Sequence, residues 1–179
     1  MAPSGETGPD ETIVPLDGDD REAIREVINA AATAYDGVIP PTCYADPYMD
    51  AEELADEMAE MDFVGGERSS RLLGVMGFQP VLDVCLIRHL YVRPAHQRTG
   101  IGTRLLTHGI DRADGRPLLV GTWAAADWAI TFYENHGFEN LGTDRQLLSR
   151  YWDVTDEHAA ASVVLRDRGT DTVEDSSNR

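Results

Sequence analysis

Lysine does not occur in the 179-residue sequence, so all 15 basic side chains are arginine, set against 32 Asp and Glu for a net charge of −17. The missing lysine excludes a P-loop NTPase, whose GxxxxGK[ST] motif needs an ammonium on the β and γ phosphates. The shortage of positive charge argues against a grip on nucleic acid, which needs a basic face. Cysteine is scarce as well. Cys43 and Cys85 stand in unrelated contexts and are expected to be reduced thiols, so a disulfide framework, a CxxC redox pair and a cysteine metal motif are all ruled out. No apolar run approaches the roughly 20 residues of a bilayer span, and the first 20 residues lack the basic and apolar blocks of a secretory signal. The sequence predicts a soluble cytoplasmic protein with no metal, membrane or nucleic-acid partner. An acidic, lysine-free surface also suits a salt-saturated, halophilic cytoplasm, where a Debye length of roughly 3 Å limits self-repulsion.

The length fits one domain with a single sizeable core. Residues 1–18, rich in Gly, Pro and acids without apolar periodicity, are expected to form a disordered leader, 19–167 the folded domain and 168–179 a disordered tail. Asp19 and Asp20 can cap a helix running to about Tyr35, with Ile24, Val27, Ile28 and Ala31 on one face. The proline-bearing stretch 37–47 must be irregular, and a second helix is expected over 50–61, where Leu54, Met58 and Met61 share a face. Composition then turns β-like: a strand pair around residues 67–70, then the nearly continuous apolar segment 81–92, predicted to be one central strand buried on both faces. A glycine-bearing turn follows, then a helix over 100–113, a buried strand at 118–122, a helix ending near His136 and a strand at 138–141. A helix at 146–152 and a strand at 162–165 close the domain. This order defines an α/β fold, a mixed sheet with helices on both faces.

The turn Gln97-Arg98-Thr99-Gly100-Ile101-Gly102-Thr103 sits where a buried strand hands over to a helix. Free backbone N–H groups and the helix dipole converge there on one spot, and glycines let a phosphate approach the backbone. A dinucleotide fingerprint fails, because Leu105 stands where GxGxxG needs its third glycine. A turn that merely starts a helix would account for the two glycines, but the charge distribution argues otherwise. Residues 84–110 hold no Asp or Glu, where the chain average predicts about five, and they do hold Arg88, Arg93, Arg98 and Arg104. An otherwise acidic chain keeps one cationic stretch, and that stretch straddles the turn.

Leu90-Tyr91-Val92-Arg93-Pro94 followed by Gln97-Arg98-Thr99-Gly100-Ile101-Gly102 resembles the strand and Q/R-x-x-G-x-G/A signature of the GNAT superfamily, the acyl-CoA-dependent N-acetyltransferases. Downstream, the segment from Ala129 to Phe138, AITFYENHGF, is similar to the family's A-I-x-F-Y-x-x-x-G-F helix-to-strand motif. The resemblance implies a mostly antiparallel twisted sheet and acetyl-CoA as co-substrate, with a small-molecule or peptide amine as acceptor and a homodimer left open. By the same resemblance, Leu90 and Val92 would offer backbone groups to the pantetheine arm. Gln97, Arg98, Thr99, Gly100, Ile101, Gly102 and Thr103 would cradle the pyrophosphate, and Tyr133 would protonate the departing thiolate. A phenol of pKa about 10 suits that task, although a core tyrosine beside Phe132 would look the same in sequence. A CoA-binding sensor or scaffold without transfer activity is the rival expectation.

Two departures from the family pattern matter. Ala126 replaces an asparagine frequent before the Ala-Ile pair, and Leu86 and Arg88 occupy strand positions that supply a general base in some members. Neither can take a proton, which leaves Asp83, His89 or an N-terminal residue. The resemblance makes the stretch 35–48 one wall of the acceptor groove, with Arg88 available to a carboxylate if it faces that groove. Trp123, Trp128 and Trp152 are expected in the core.

Overall fold

The computed structural model describes residues 11–169. Seven strands form one sheet: β1 Glu11–Leu16, β2 Asp62–Arg68, β3 Arg71–Val81, β4 Val84–Val92, β5 Leu118–Trp123, β6 Phe138–Asn140 and β7 Ser162–Asp167, in the order β1-β2-β3-β4-β5-β7-β6. Only β4 and β5 run parallel; every other neighbouring pair is antiparallel. The helices are α1 Arg21–Ala32, α2 Ala51–Glu60, α3 Ile101–Ala113, α4 Asp127–Asn135, α5 Arg145–Tyr151 and α6 Asp156–Ala160.

Strand alternation sorts the core into two faces. Cys85 and Ile87 of β4, Leu118 and Val120 of β5 and Val163 and Leu165 of β7 point to one side, where they meet Ile101, Leu105 and Leu106 of α3 and Tyr133 of α4. Val84, Leu86, Leu119 and Val164 point to the other side, against Leu148 and Tyr151 of α5. Ile24, Val27 and Ile28 of α1 and Leu54 of α2 cover β2 and β3 on that second side. Gly66 and Gly74 bring α3 close: a β-carbon on either would stand 2.9–3.0 Å from Ile101 Cγ2. Full burial of Leu105 and Leu106 beneath that helix contributes about 2 kcal/mol each and fixes where α3 begins.

Four expectations need correction. Residues 11–16, assigned to the leader, form β1, paired with β2 from Glu11↔Arg68 to Leu16↔Phe63; Pro15 is tolerated because β1 is an edge strand. The remaining leader residues, 1–10, and tail residues 170–179 lie outside the described residues. The segment 81–92 is not one strand, since Leu82 and Asp83 turn between β3 and β4, Leu82 at φ 52°. Within β4 only residues 84–87 are buried, and 88–92 are half-buried. The cap at the start of the first helical stretch is Asp17, whose Oδ1 accepts from the Asp19 N–H at 2.9 Å while the Asp17 N–H donates to Asp20 Oδ2. The short helix α6 has no counterpart in the sequence reading; Thr155 caps it. Among the described residues no helix is long and apolar enough to cross a membrane.

Candidate active site

The turn before α3 has the form expected of an anion site. Arg98 (φ 63°) and Gly100 (φ 93°) are both left-handed, and six consecutive backbone N–H groups, of residues 98–103, have no hydrogen-bond partner among the described residues. An α-helix leaves its first four N–H groups, here 100–103, free in any case; residues 98 and 99 add two more, and the left-handed backbone at 98 and 100 curls the row into a concavity. The Gln97 side chain donates to the Val92 carbonyl at 3.1 Å and the Thr99 hydroxyl to the His96 carbonyl at 2.5 Å, tying the turn to the end of β4. A β-carbon at Gly100 would meet nothing within 4 Å, so the surface over this row is open.

The four arginines of the acid-free stretch do not act together. Arg93 donates to the Leu72 carbonyl at 2.7 Å, Arg104 binds the Glu11 carboxylate at 3.0 Å, and Arg88 lies on the opposite face of the sheet from α3. Only exposed Arg98, without a partner among the described residues, stands at the turn with its guanidinium available.

Beside the turn the sheet splits. The β4–β5 ladder ends at Ile87↔Val120, and residues 88–92 have no strand partner on that side among the described residues. Their edge, which includes Leu90 and Val92, is open to an extended ligand. A bulge sets their phase: the β3–β4 register slips between Val75 and Gly77, opposite His89, which is left-handed at φ 51°. Cys85 and Ile87 face α3, yet so do Leu90 and Val92, which pack against the same cluster. The extra residue puts Arg88 and His89 together on the opposite face, where Tyr91 joins them.

A cavity of about 130 Å³ fills that opposite side of the split, between Arg88, His89 and Tyr91 of β4 and Gly121, Thr122 and Trp123 of β5. Tyr35 and Tyr48 close it; the Trp123 indole donates to the Tyr48 hydroxyl at 3.0 Å. Burial pushes Tyr35 up to about 12. Burial raises Tyr91 further, helped by Tyr35 and Tyr48, so the phenols stay neutral donors. His158 stacks on Trp123 with ring centroids 4.2 Å apart, and burial, then Arg88, lowers its affinity for a proton. The tryptophans divide: Trp123 is buried, Trp152 lines the cavity against Gly121, and Trp128 is 48% exposed, stacked on Tyr35.

One residue of this site escaped the sequence reading. Glu57 of α2 accepts from Arg88 Nη2 at 3.3 Å and pairs with His89 Nε2. Burial alone would raise its carboxyl, but the His89 hydrogen bond and the charges of His89 and Arg88 outweigh that and hold it below the usual carboxylate range. Its sequence signal is a glutamate three residues after Leu54 on the inward side of α2. Asp83 has a different place: it sits at the opposite end of β4 from the split and binds the Tyr151 hydroxyl at 2.8 Å.

Tyr133 is 6% exposed on α4, edge-on to Phe132 and Phe138 with centroids 5.2 and 5.5 Å away. Burial raises its pKa well above that of a free phenol, and Tyr35 adds to the effect. Its hydroxyl has no hydrogen-bond partner among the described residues. A phenol so placed stays protonated and has its donor capacity unspent. Among the described residues no cluster of His, Cys, Asp or Glu is arranged to hold a metal ion.

Comparison with known proteins finds the same overall arrangement in N-acetyltransferases. Residues 59–140 match the family described as an Acetyltransferase (GNAT) domain. The PaiA N-acetyltransferase of Thermoplasma acidophilum, solved in complex with coenzyme A, superposes with a TM-score of 0.68 at 19% identity over 88% of this chain and 98% of that one. The ribosomal-protein-S18-alanine N-acetyltransferase of Escherichia coli gives 0.64 at 21% identity over 88% and 93%. An IAA acetyltransferase of Bacillus cereus gives 0.61 at 19% over 88% and 99%. No curated protein matches the chain. Residues 59–140 thus match a GNAT acetyltransferase domain, and the sheet that surrounds them has the fold of these N-acetyltransferases.

Proposed function

We propose that this protein moves an acetyl group from acetyl-CoA to a primary amine by direct transfer within the β4–β5 split. The observation that carries the proposal is the run of six N–H groups at residues 98–103 without a partner among the described residues, beside a strand edge that those residues leave open at 88–92. Those N–H groups, with Arg98, fit a pyrophosphate, and the glycine at 100 leaves room for it. Leu90 and Val92 fit the amides of the pantetheine arm, which brings the thioester into the split.

Tyr133 then acts as the general acid. Amine attack on the thioester carbonyl forms a C–N bond and breaks the C–S bond, and the thiolate that leaves takes the phenol proton. The amine occupies the aromatic cavity between Tyr35, Tyr91 and Trp123. The net charge of −17 fits a cytoplasm of concentrated salt.

Calorimetry with acetyl-CoA, followed by free-thiol release against a panel containing phenethylamine, spermidine and alaninamide, tests the proposal. Binding with amine-dependent thiol release is expected. Binding without release from any amine would favour the sensor, and absence of binding would overturn the assignment.

A further inference from the structure

We propose that His89, oriented by Glu57, is the base that takes the proton from the acceptor ammonium; this rests on the amine-transfer reading above. His89 is on the cavity only because of the β4 bulge, whose extra residue carries it from the α3 face to the acceptor face. There its ring lies between Phe63, at 6.0 Å and 15°, and Tyr91, at 6.5 Å and 28°. Its Nε2 meets Glu57 Oε2, and both side chains are largely covered, 14% and 18% exposed.

That contact settles the tautomer. An ionised carboxylate only accepts, so Nε2 carries the hydrogen and the neutral ring keeps its lone pair on Nδ1. Nδ1 has no partner among the described residues. The charged or titratable groups around the ring are Glu57 and Glu53 from α2 and Arg88 and Tyr91 from β4; Phe63 of β2 brings no charge. Arg88 Nη2 takes the other oxygen of Glu57 and Nη1 donates to Gln79, so Glu57 is anchored from two sides and cannot swing away. Burial stops short of neutralising it, and it remains the counter-charge an imidazolium needs.

The step balances. An ammonium R–NH₃⁺ gives one proton to Nδ1 and becomes an amine, whose lone pair forms the C–N bond as the C–S pair leaves on sulfur. Tyr133 protonates that sulfur and recovers a proton from the nitrogen, directly or through water. His89 returns its own proton to solvent. One amide, one thiol and one released proton result. Glu57 touches no reacting atom and is a positioning residue.

The test uses the fastest alkylamine of the panel and follows thiol release against pH in wild type, His89→Asn and Glu57→Gln, with acetyl-CoA affinity measured alongside. Asparagine suits the left-handed backbone at position 89. Wild type should show kcat/KM rising with pH to a plateau. His89→Asn should lose the plateau, rise until the amine itself deprotonates, and fall roughly a hundredfold near neutral pH, with acetyl-CoA affinity unchanged. Glu57→Gln should keep the plateau but shift the rising limb to lower pH, because the imidazolium loses its counter-charge. A wild-type pH profile in His89→Asn would overturn the proposal while the transfer reading stands. Absence of thiol release from wild type with every amine would overturn both.

Discussion

The Thr103 hydroxyl and His136 Nε2 stand 2.9 Å apart, joining the first turn of α3 to the end of α4. His136 Nδ1 lies 2.6 Å from the Phe132 carbonyl, which can only accept, so the ring donates from Nδ1 and accepts the Thr103 hydroxyl at Nε2. The helix that supplies the anion turn is thereby tied to the helix that carries Tyr133. His136→Ala should weaken acetyl-CoA binding by about fivefold, the worth of one hydrogen bond near 1 kcal/mol. Calorimetry checks it, and unchanged affinity would show that the tie does not position the turn.

Gly102 faces Phe132 and Val92, where a β-carbon would sit at 3.5–3.7 Å, ordinary contact distance. Gly102→Ala should therefore fold and still bind acetyl-CoA. Gly102→Glu places a carboxylate beside the free N–H row and should abolish binding without unfolding the chain, which calorimetry and circular dichroism together would establish.

Tyr133→Phe keeps the ring contacts with Phe132 and Phe138 and removes only the hydroxyl. If that hydroxyl protonates the thiolate, kcat should fall by roughly ten- to a thousandfold with acetyl-CoA affinity nearly unchanged. Wild-type turnover in this variant would reduce Tyr133 to a packing residue.

Glu11 clasps two arginines from different elements, Arg68 of β2 and Arg104 of α3, and so ties the edge strand to the anion-turn helix. Burial works against its carboxylate, but the hydrogen bonds from Arg68 and Arg104 outweigh it and hold the pKa below the usual value. A depressed folded-state pKa gives stability that is present above the unfolded value and lost as pH falls through the folded one. Glu11→Gln should melt about 2–4 °C lower than wild type near neutral pH, and the gap should close toward about pH 3. A gap of the same size at both pH values would mean that the carboxylate charge plays no part.

Even if all 15 arginines paired with one acid each, 17 carboxylates would remain without a cation, which is the net charge of −17. Their mutual repulsion falls as the Debye length shrinks from roughly 10 Å at 0.1 M to 3 Å at 1 M salt. The melting temperature should climb between about 0.05 and 3 M KCl, although the individual arginine pairs weaken over the same range. A flat or falling melting curve would refute adaptation to salt.

The amino-acid pattern by itself determined five of the six helices, the later strands and the glycine turn before α3, because each depends on local chemistry. Ile24, Val27 and Ile28 share a face through the 3.6-residue period, and Gly100 and Gly102 permit the turn whatever surrounds it. The pairing of β1 was not legible, because an edge strand of six residues with a proline has no signature until β2 presents its partner edge. Nor was the turn at Leu82 and Asp83, since an unbroken apolar run does not mark where a hairpin reverses. The cavity side of the sheet depended most on tertiary structure. A single extra residue opposite Met76 inverts the strand alternation after Ile87, so Leu90 and Val92 face α3 while His89 meets a glutamate 32 positions earlier in the chain. Strand periodicity carries no information about a bulge, and a contact between distant residues exists only once the sheet and α2 have packed.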